Sequence, residues 1–171
     1  MKGLENYLAL YIISNAVAIL LLLAAWKAPK IARVLFFLLF AWAGYTNYYY
    51  AIHYPNAYLD YADLSFIRGY KQFILGWFSQ HIVVMVGFIA TCQALIAISM
   101  LLKGWIFKSG CIGAMIFLLA IAPLGVGAAF PCTVIMTVAL LILLKKYNHN
   151  FIWKRNRNLK IRSLTSPHFN R

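Results

Sequence analysis

The chain has 171 residues, of which 64% are hydrophobic, and a net charge of +13 from 16 Lys and Arg against three acids. A soluble domain of this size needs a mostly polar skin, so lipid must form part of its solvent. The bases stand in short clusters beside apolar runs rather than in a stripe with stacking aromatics, which argues against nucleic acid and for anionic lipid headgroups as the partner.

About twenty apolar residues cross a bilayer as a helix. The first predicted span, residues 7–26, is followed by Lys27, Lys30 and Arg33. A cleaved leader carries its positive charge ahead of the apolar run, so this order predicts a retained helix with its N-terminus outside. The second span, residues 34–53, ends among Tyr45, Tyr48, Tyr49, Tyr50, Tyr54, Tyr58 and Tyr61. Tyrosine rings favour the headgroup boundary, and this group marks the outer interface. Apolar residues then recur at three- and four-residue spacing over residues 64–78, with Arg68, Lys71 and Gln72 on the other side. That pattern predicts an amphipathic helix on the outer surface, with Asp60 and Asp63 ahead of its N-terminus.

The third span, residues 81–102, leads to Lys103 and Lys108, and residues 109–144 carry no charge between two basic flanks. A single crossing would leave a heavily basic tail outside, against the positive-inside tendency, so a hairpin of spans 109–128 and 131–147 is predicted. Gly125, Gly127 and Pro131 suit its turn. Pro123 lies within the fourth span and predicts, with Gly125 and Gly127, a kink whose freed carbonyls must face the bundle or a cavity. In this topology Lys2, Arg68 and Lys71 balance the three acids outside, and the other thirteen bases lie inside. The expected fold class is all-α: a polytopic membrane helical bundle of five transmembrane helices in residues 1–147. A basic cytoplasmic tail, 148–171, rests on the anionic inner leaflet. The expected location is the cell membrane, multi-pass, with the C-terminus inside.

Cys92, Cys111 and Cys132 fall at different depths and form no CxxC pair, which disfavours a disulfide and thiol redox chemistry. Small residues four apart, Gly87 with Thr91 and Gly110 with Ala114, suit close helix contact. Asn15, Asn47, Thr91, Gln93, Thr133 and Thr137 are expected to face neighbouring helices rather than lipid.

From Arg33 to Lys146 the pattern resembles the DoxX-like family of small four-helix membrane proteins, preceded here by one further span. The resemblance is carried by Phe40-Ala41-Trp42-Ala43-Gly44-Tyr45-Thr46-Asn47, by Cys92-Gln93-Ala94-Leu95 and by Leu101-Leu102-Lys103-Gly104. It implies a setting beside other membrane proteins or in quinone-linked oxidoreductase complexes. Gln93 stands where the family commonly has an acid and Asn47 where it commonly has a Lys, so a buried acid-base pair is absent.

No catalytic residues are assigned, and nucleotide loops, zinc spacings and a nucleophile elbow are missing. His53 and His81 end adjacent spans on the outer side, where a metal or haem iron is one reading and hydrogen bonding to headgroups or tyrosines the favoured one, so no metal site is assigned. The candidate ligand-binding residues are Asn47, Tyr48, His53, Gln80, His81 and Gln93, with quinone or lipid as the ligand in an aromatic-rich outer cavity. Three functional readings follow. The leading one is an accessory or scaffold protein that binds quinone or lipid. The others are a small transporter of an apolar or zwitterionic compound, built on the Pro123 break, and a subunit of a quinone-linked oxidoreductase complex.

Overall fold

A computed structural model of the chain describes residues 4–147, with side chains from residue 8. The basic tail, 148–171, lies outside the described residues. The described chain is all-α. Five longer helices carry it: α1 (Leu4–Lys27), α2 (Pro29–His53), α5 (Ile82–Leu101), α6 (Trp105–Ile121) and α7 (Cys132–Lys145). Between α2 and α5 lie a 3-10 turn (Pro55–Tyr58) and two short helices, α3 (Tyr61–Leu64) and α4 (Arg68–Phe73), with a π turn (Ile74–Phe78) after α4. Three helical stretches are long and apolar enough to cross a membrane, Leu8–Lys27, Ile82–Leu101 and Trp105–Ala128, and Cys132–Lys145 is a shorter apolar helix. Helix α2 is 25 residues long, but Arg33 near its start and Asn47 among the tyrosines of its last turns make it less apolar.

Helix α1 packs against α2 and α7, α2 against α5, α5 against α6, and α6 against α7, which closes a five-membered ring. Leu, Ile, Val, Phe and Trp side chains stand exposed along the outside of all five helices. Apolar area on this scale is stable against lipid tails and not against water.

The ring has two different ends. At one, the α1–α2 turn, the α5–α6 turn and the end of α7 meet, so Lys27, Lys30, Lys103, Lys108, Lys145 and Lys146 gather together. Lys146 Nζ donates to the Trp26 carbonyl, tying the end of α7 to the end of α1. At the other end the tyrosine-rich segment between α2 and α5 covers the bundle. Arg33 is not a loop base. Pro29, with its fixed φ and no N–H to leave unsatisfied, starts α2 ahead of the expected boundary. Arg33 is thereby carried inside the helix and is only 6% exposed. Its Nε donates to the Met100 carbonyl at 2.8 Å, its Nη2 donates to the Leu102 carbonyl, and its guanidinium lies 4.1 Å from the Phe107 ring centre. Met100 lies in the last turn of α5 and Leu102 is the residue that follows the helix, where no intrahelical N–H remains to bond their carbonyls. Tyr147 stacks on Phe107 at 4.8 Å, and its hydroxyl accepts from the Gly104 N–H, so α2, α5, α6 and α7 meet at one cation.

Two cores fill the ring. The larger, at the basic end, contains Ala25, Phe36, Met100, Phe107, Cys111, Leu140 and Leu143. The smaller joins α2, α3, the π turn and α5 through Ala51, Ala62, Ile74, Phe78, Ile82 and Val86. The three cysteines are free thiols.

The continuous amphipathic helix expected over residues 64–78 is broken. Ser65 and Ile67 are extended, because the Phe66 N–H and the Ser65 hydroxyl are drawn to the Pro123 carbonyl at 3.0 and 3.1 Å. Gly76, at φ −93° and ψ −110°, interrupts the helix a second time. Asp63 pairs with Lys71 at 2.6 Å, but both are exposed, so the pair adds little stability.

The two small-residue pairs behave differently. A Cβ on Gly110 would stand 1.6 Å from Ser99 Oγ, and that hydroxyl is itself held by the Ile96 carbonyl at 2.6 Å. A Cβ on Gly87 would meet nothing within 4 Å, and Thr91 is exposed, bonding back to the Gly87 carbonyl of its own helix at 2.9 Å. Thr91 therefore faces outward, contrary to expectation, since a hydroxyl satisfied within its own helix needs no neighbour. Gly110→Ala is expected to cost about 1–3 kcal/mol through overpacking. Gly87→Ala should be neutral or stabilising, because alanine is the better helix former. Thermal unfolding of both variants in detergent measures the contrast.

Candidate functional site

Large side chains close the ring at the basic end, whereas Ser14, Ala43, Gly127, Ala128 and Ala129 face its centre towards the tyrosine end. The difference leaves a cavity of about 730 Å³ between the two cores, touched by all five long helices. Its wall is chiefly apolar, with Val17, Leu39, Phe40, Ile89, Phe117 and Met136 among the lining residues. Among the described residues no Asp, Glu, Lys, Arg or His lines it.

Leu10 and Trp42 both line the cavity while remaining 64% and 66% exposed. Helices α1 and α2 leave a common turn at Ala28, and the buried residues of α1, Ala18, Leu21 and Ala25, all lie in the half nearer that turn. The half of α1 farther from that turn is therefore less covered, and the cavity wall reaches exposed side chains at Leu10 and Trp42.

The tyrosine end of the wall is built from a helix that has lost its regular hydrogen bonding. Pro123 ends α6, and residues Ala122–Ala128 continue as a 3-10 segment interrupted at Gly125 (φ +64°, ψ −122°). Only glycine fits at Gly125, both for its positive φ and because a Cβ would come within 2.7 Å of the Leu64 carbonyl. At Gly127 a Cβ would lie 2.4 Å from the Tyr61 ring, which packs directly on this backbone. The freed carbonyls find donors elsewhere. Tyr70 Oη donates to Ala120 O at 2.7 Å, Phe66 N–H and Ser65 Oγ donate to Pro123 O, and Phe130 N–H donates to Gly125 O at 3.0 Å. Asn15 Nδ2 donates to Ala129 O at 3.1 Å. The broken segment packs on Tyr61, Leu64 and Phe66 on one side, and Leu124, Gly127, Ala128 and Ala129 line the cavity on the other.

Of the six candidate ligand residues, the fold brings two together. Asn47 Nδ2 donates to Gln93 Oε1 at 2.8 Å, and both residues line the cavity. Tyr58 completes the group, its hydroxyl donating to Asn47 Oδ1 at 3.0 Å and reaching the Asn47 carbonyl at 3.2 Å. Tyr48 and Gln80 are exposed and do not line the cavity. His53 stacks on Tyr49 at 4.4 Å with Nδ1 2.9 Å from the Tyr49 carbonyl, four residues back on its own helix. His81 repeats the arrangement on Trp77, at 4.3 Å and 2.9 Å. The two histidines are therefore occupied by their own helical turns and do not point into the cavity. No group of three or more metal-ligating side chains occurs among the described residues.

Tyr58, Tyr61, Tyr70 and Ser14 enter the wall without having been singled out as ligand residues. Tyr58 and Tyr61 belong to the group expected at the headgroup boundary and Tyr70 to the expected surface helix, and sequence spacing does not distinguish a ring turned to lipid from one folded under a loop. Thr133, expected only to face a neighbouring helix, is 2% exposed, lines the cavity and has an unpartnered hydroxyl. Compared with known proteins, the chain matches no family model, no curated protein and no solved structure.

Burial pushes the Tyr58 phenol up to about 12, with Tyr61 and Tyr50 adding to the effect. Its neutral form is the one that donates to Asn47. A folded value raised above the unfolded one gives stability that is present in full below pH 10 and is lost as pH rises through about 12. Ultraviolet difference titration should therefore show a tyrosine step near pH 12 that Tyr58→Phe removes.

Proposed function

We propose that this protein is a five-span integral protein of the cell membrane that holds a neutral, lipid-soluble molecule, a quinone or a lipid, in a cavity of the outer leaflet. It serves as an accessory or scaffold beside other membrane proteins. The observation that carries this reading is the chiefly apolar cavity of about 730 Å³ with a few polar groups in its wall, among them the linked set Asn47, Gln93 and Tyr58. Ligand pockets of this size range commonly combine an apolar wall with a few placed polar groups. The exposure of the lining residues Leu10 and Trp42 on the apolar outside of the bundle supports entry from the bilayer.

The gathering of seven bases, Arg33 among them, at one end supports a cytoplasmic basic face and an external N-terminus. The resemblance of residues 33–146 to DoxX-like proteins agrees with an accessory role, and the five long helices agree with one extra span ahead of a four-helix core. Holding is favoured over transport. No lining residue lies nearer the basic end than Val17, Leu39, Gln93, Phe117 and Met136, and beyond them the bundle is closed by packed side chains around Arg33.

Purification followed by solvent extraction and mass spectrometry tests the proposal. A neutral lipid or quinone should be retained in near-stoichiometric amount by the native protein. Ala43→Trp, which fills the cavity from α2, should lower retention at least tenfold while unfolding remains cooperative. Retention no higher than that of the surrounding membrane lipids, or unchanged by Ala43→Trp, contradicts it.

A further inference from the structure

The hydrogen bonds on the cavity wall run in one direction. Tyr58 donates to Asn47 Oδ1, and Asn47 Nδ2 donates to Gln93 Oε1. Both carboxamide oxygens are thereby engaged, and the open end of the relay is the Gln93 amide nitrogen, which donates to no described residue. Gln93 is 2% exposed and lines the cavity. A second donor sits on α7, separated from α5 by α6. Thr133 is also 2% exposed, and its hydroxyl has no partner. A helical threonine commonly bonds the carbonyl four residues back. Here that carbonyl belongs to Ala129 and already accepts from Asn15 Nδ2 at 3.1 Å and from the Cys132 N–H at 2.9 Å.

A buried polar group without a partner is destabilising, so the orphaned Thr133 hydroxyl, together with the open Gln93 nitrogen on the wall of the same cavity, marks what its occupant must offer. We infer that the cavity takes a neutral apolar molecule through carbonyl oxygens that accept from Gln93 and Thr133. This rests on the reading of the cavity as a ligand site. A carbonyl accepts without bringing a proton that needs an acceptor of its own. The Gln93 nitrogen only donates, whereas the Thr133 hydroxyl donates and accepts, so a ligand carbonyl suits both groups, and a charged headgroup would find no counter-charge. Two kinds of membrane molecule carry the required group: isoprenoid quinones, and acylglycerols through their esters.

Binding to the full-length protein in nanodiscs separates these cases with four probes: a prenylated naphthoquinone, the matching prenylated naphthalene, dioleoylglycerol and its dialkyl ether counterpart. In the native protein one carbonyl-bearing probe should bind at least about fivefold more tightly than its carbonyl-free partner. The pair that shows the preference names the source. Thr133→Val and Gln93→Met should each reduce the preference severalfold and leave the carbonyl-free probe unaffected. Thr133→Val should also keep or raise the unfolding temperature without ligand, since it removes the orphaned hydroxyl, which excludes misfolding as the cause. Equal binding within both pairs, or a native-like preference in Thr133→Val, overturns the carbonyl assignment and leaves the cavity reading standing. Failure of all four probes to bind the native protein overturns both.

Discussion

Pro123 has no N–H to give, and the tyrosine end of this protein is organised around the carbonyls that its helix consequently releases. Unpaired backbone groups are costly anywhere and most costly away from water. The segment between α2 and α5 satisfies them by leaving regular helix itself, with Ser65 and Phe66 turned to Pro123 and Tyr70 to Ala120. Two irregular stretches thus complete each other's hydrogen bonding. Their glycines, Gly125 and Gly127, allow the contact to be close enough to bring Leu64, Phe66 and Tyr61 onto the broken backbone. The same contact draws Tyr61 and Tyr70 over the centre of the ring and makes a roof.

The opposite end is fixed by a cation. Arg33 donates to the terminal carbonyls of α5 and lies against Phe107, with Tyr147 stacked beyond, so one side chain joins four of the five helices. Arginine suits this task because its planar head keeps several donors in fixed geometry and tolerates contact with an aromatic face. A closed end and a roofed end account for where the cavity lies. Close packing around Phe36, Met100 and Leu140 fills one half of the ring, while alanines and glycines leave the other half open.

Charge sorting and apolar run length, both properties of composition along the chain, made the helical class and the meeting of Lys27 with Lys145 at one end legible in the sequence. The break at Pro123 was legible too, since proline chemistry is local. Arg33 was misplaced because a helix start at Pro29 shifts the boundary by only a few residues, yet moves the guanidinium from a loop into the core. The continuous amphipathic helix was misread because periodicity over residues 64–78 says nothing about a distant carbonyl competing for the Phe66 N–H. For the site, Asn47 and Gln93 stood out as polar residues in apolar runs. His53 and His81 stood out for the same reason, and each is satisfied by its own helical turn. Tyr58 and Thr133 differ from other tyrosines and threonines of this chain only through tertiary position, for which the sequence offers no local mark.

The account stands on a ring whose centre is open to the bilayer on one side and packed shut at the basic end. Met136 and Met100 distinguish this directly, for both are buried, at 5% and 0% exposure, but only Met136 lines the cavity. A neutral lipid analogue carrying a photoactivated diazirine, irradiated with the protein in nanodiscs and mapped by mass spectrometry, should leave adducts on Met136 and none on Met100. Absence of label from Met136 under conditions that label exposed residues such as Phe88 would contradict the open centre and with it the ligand site.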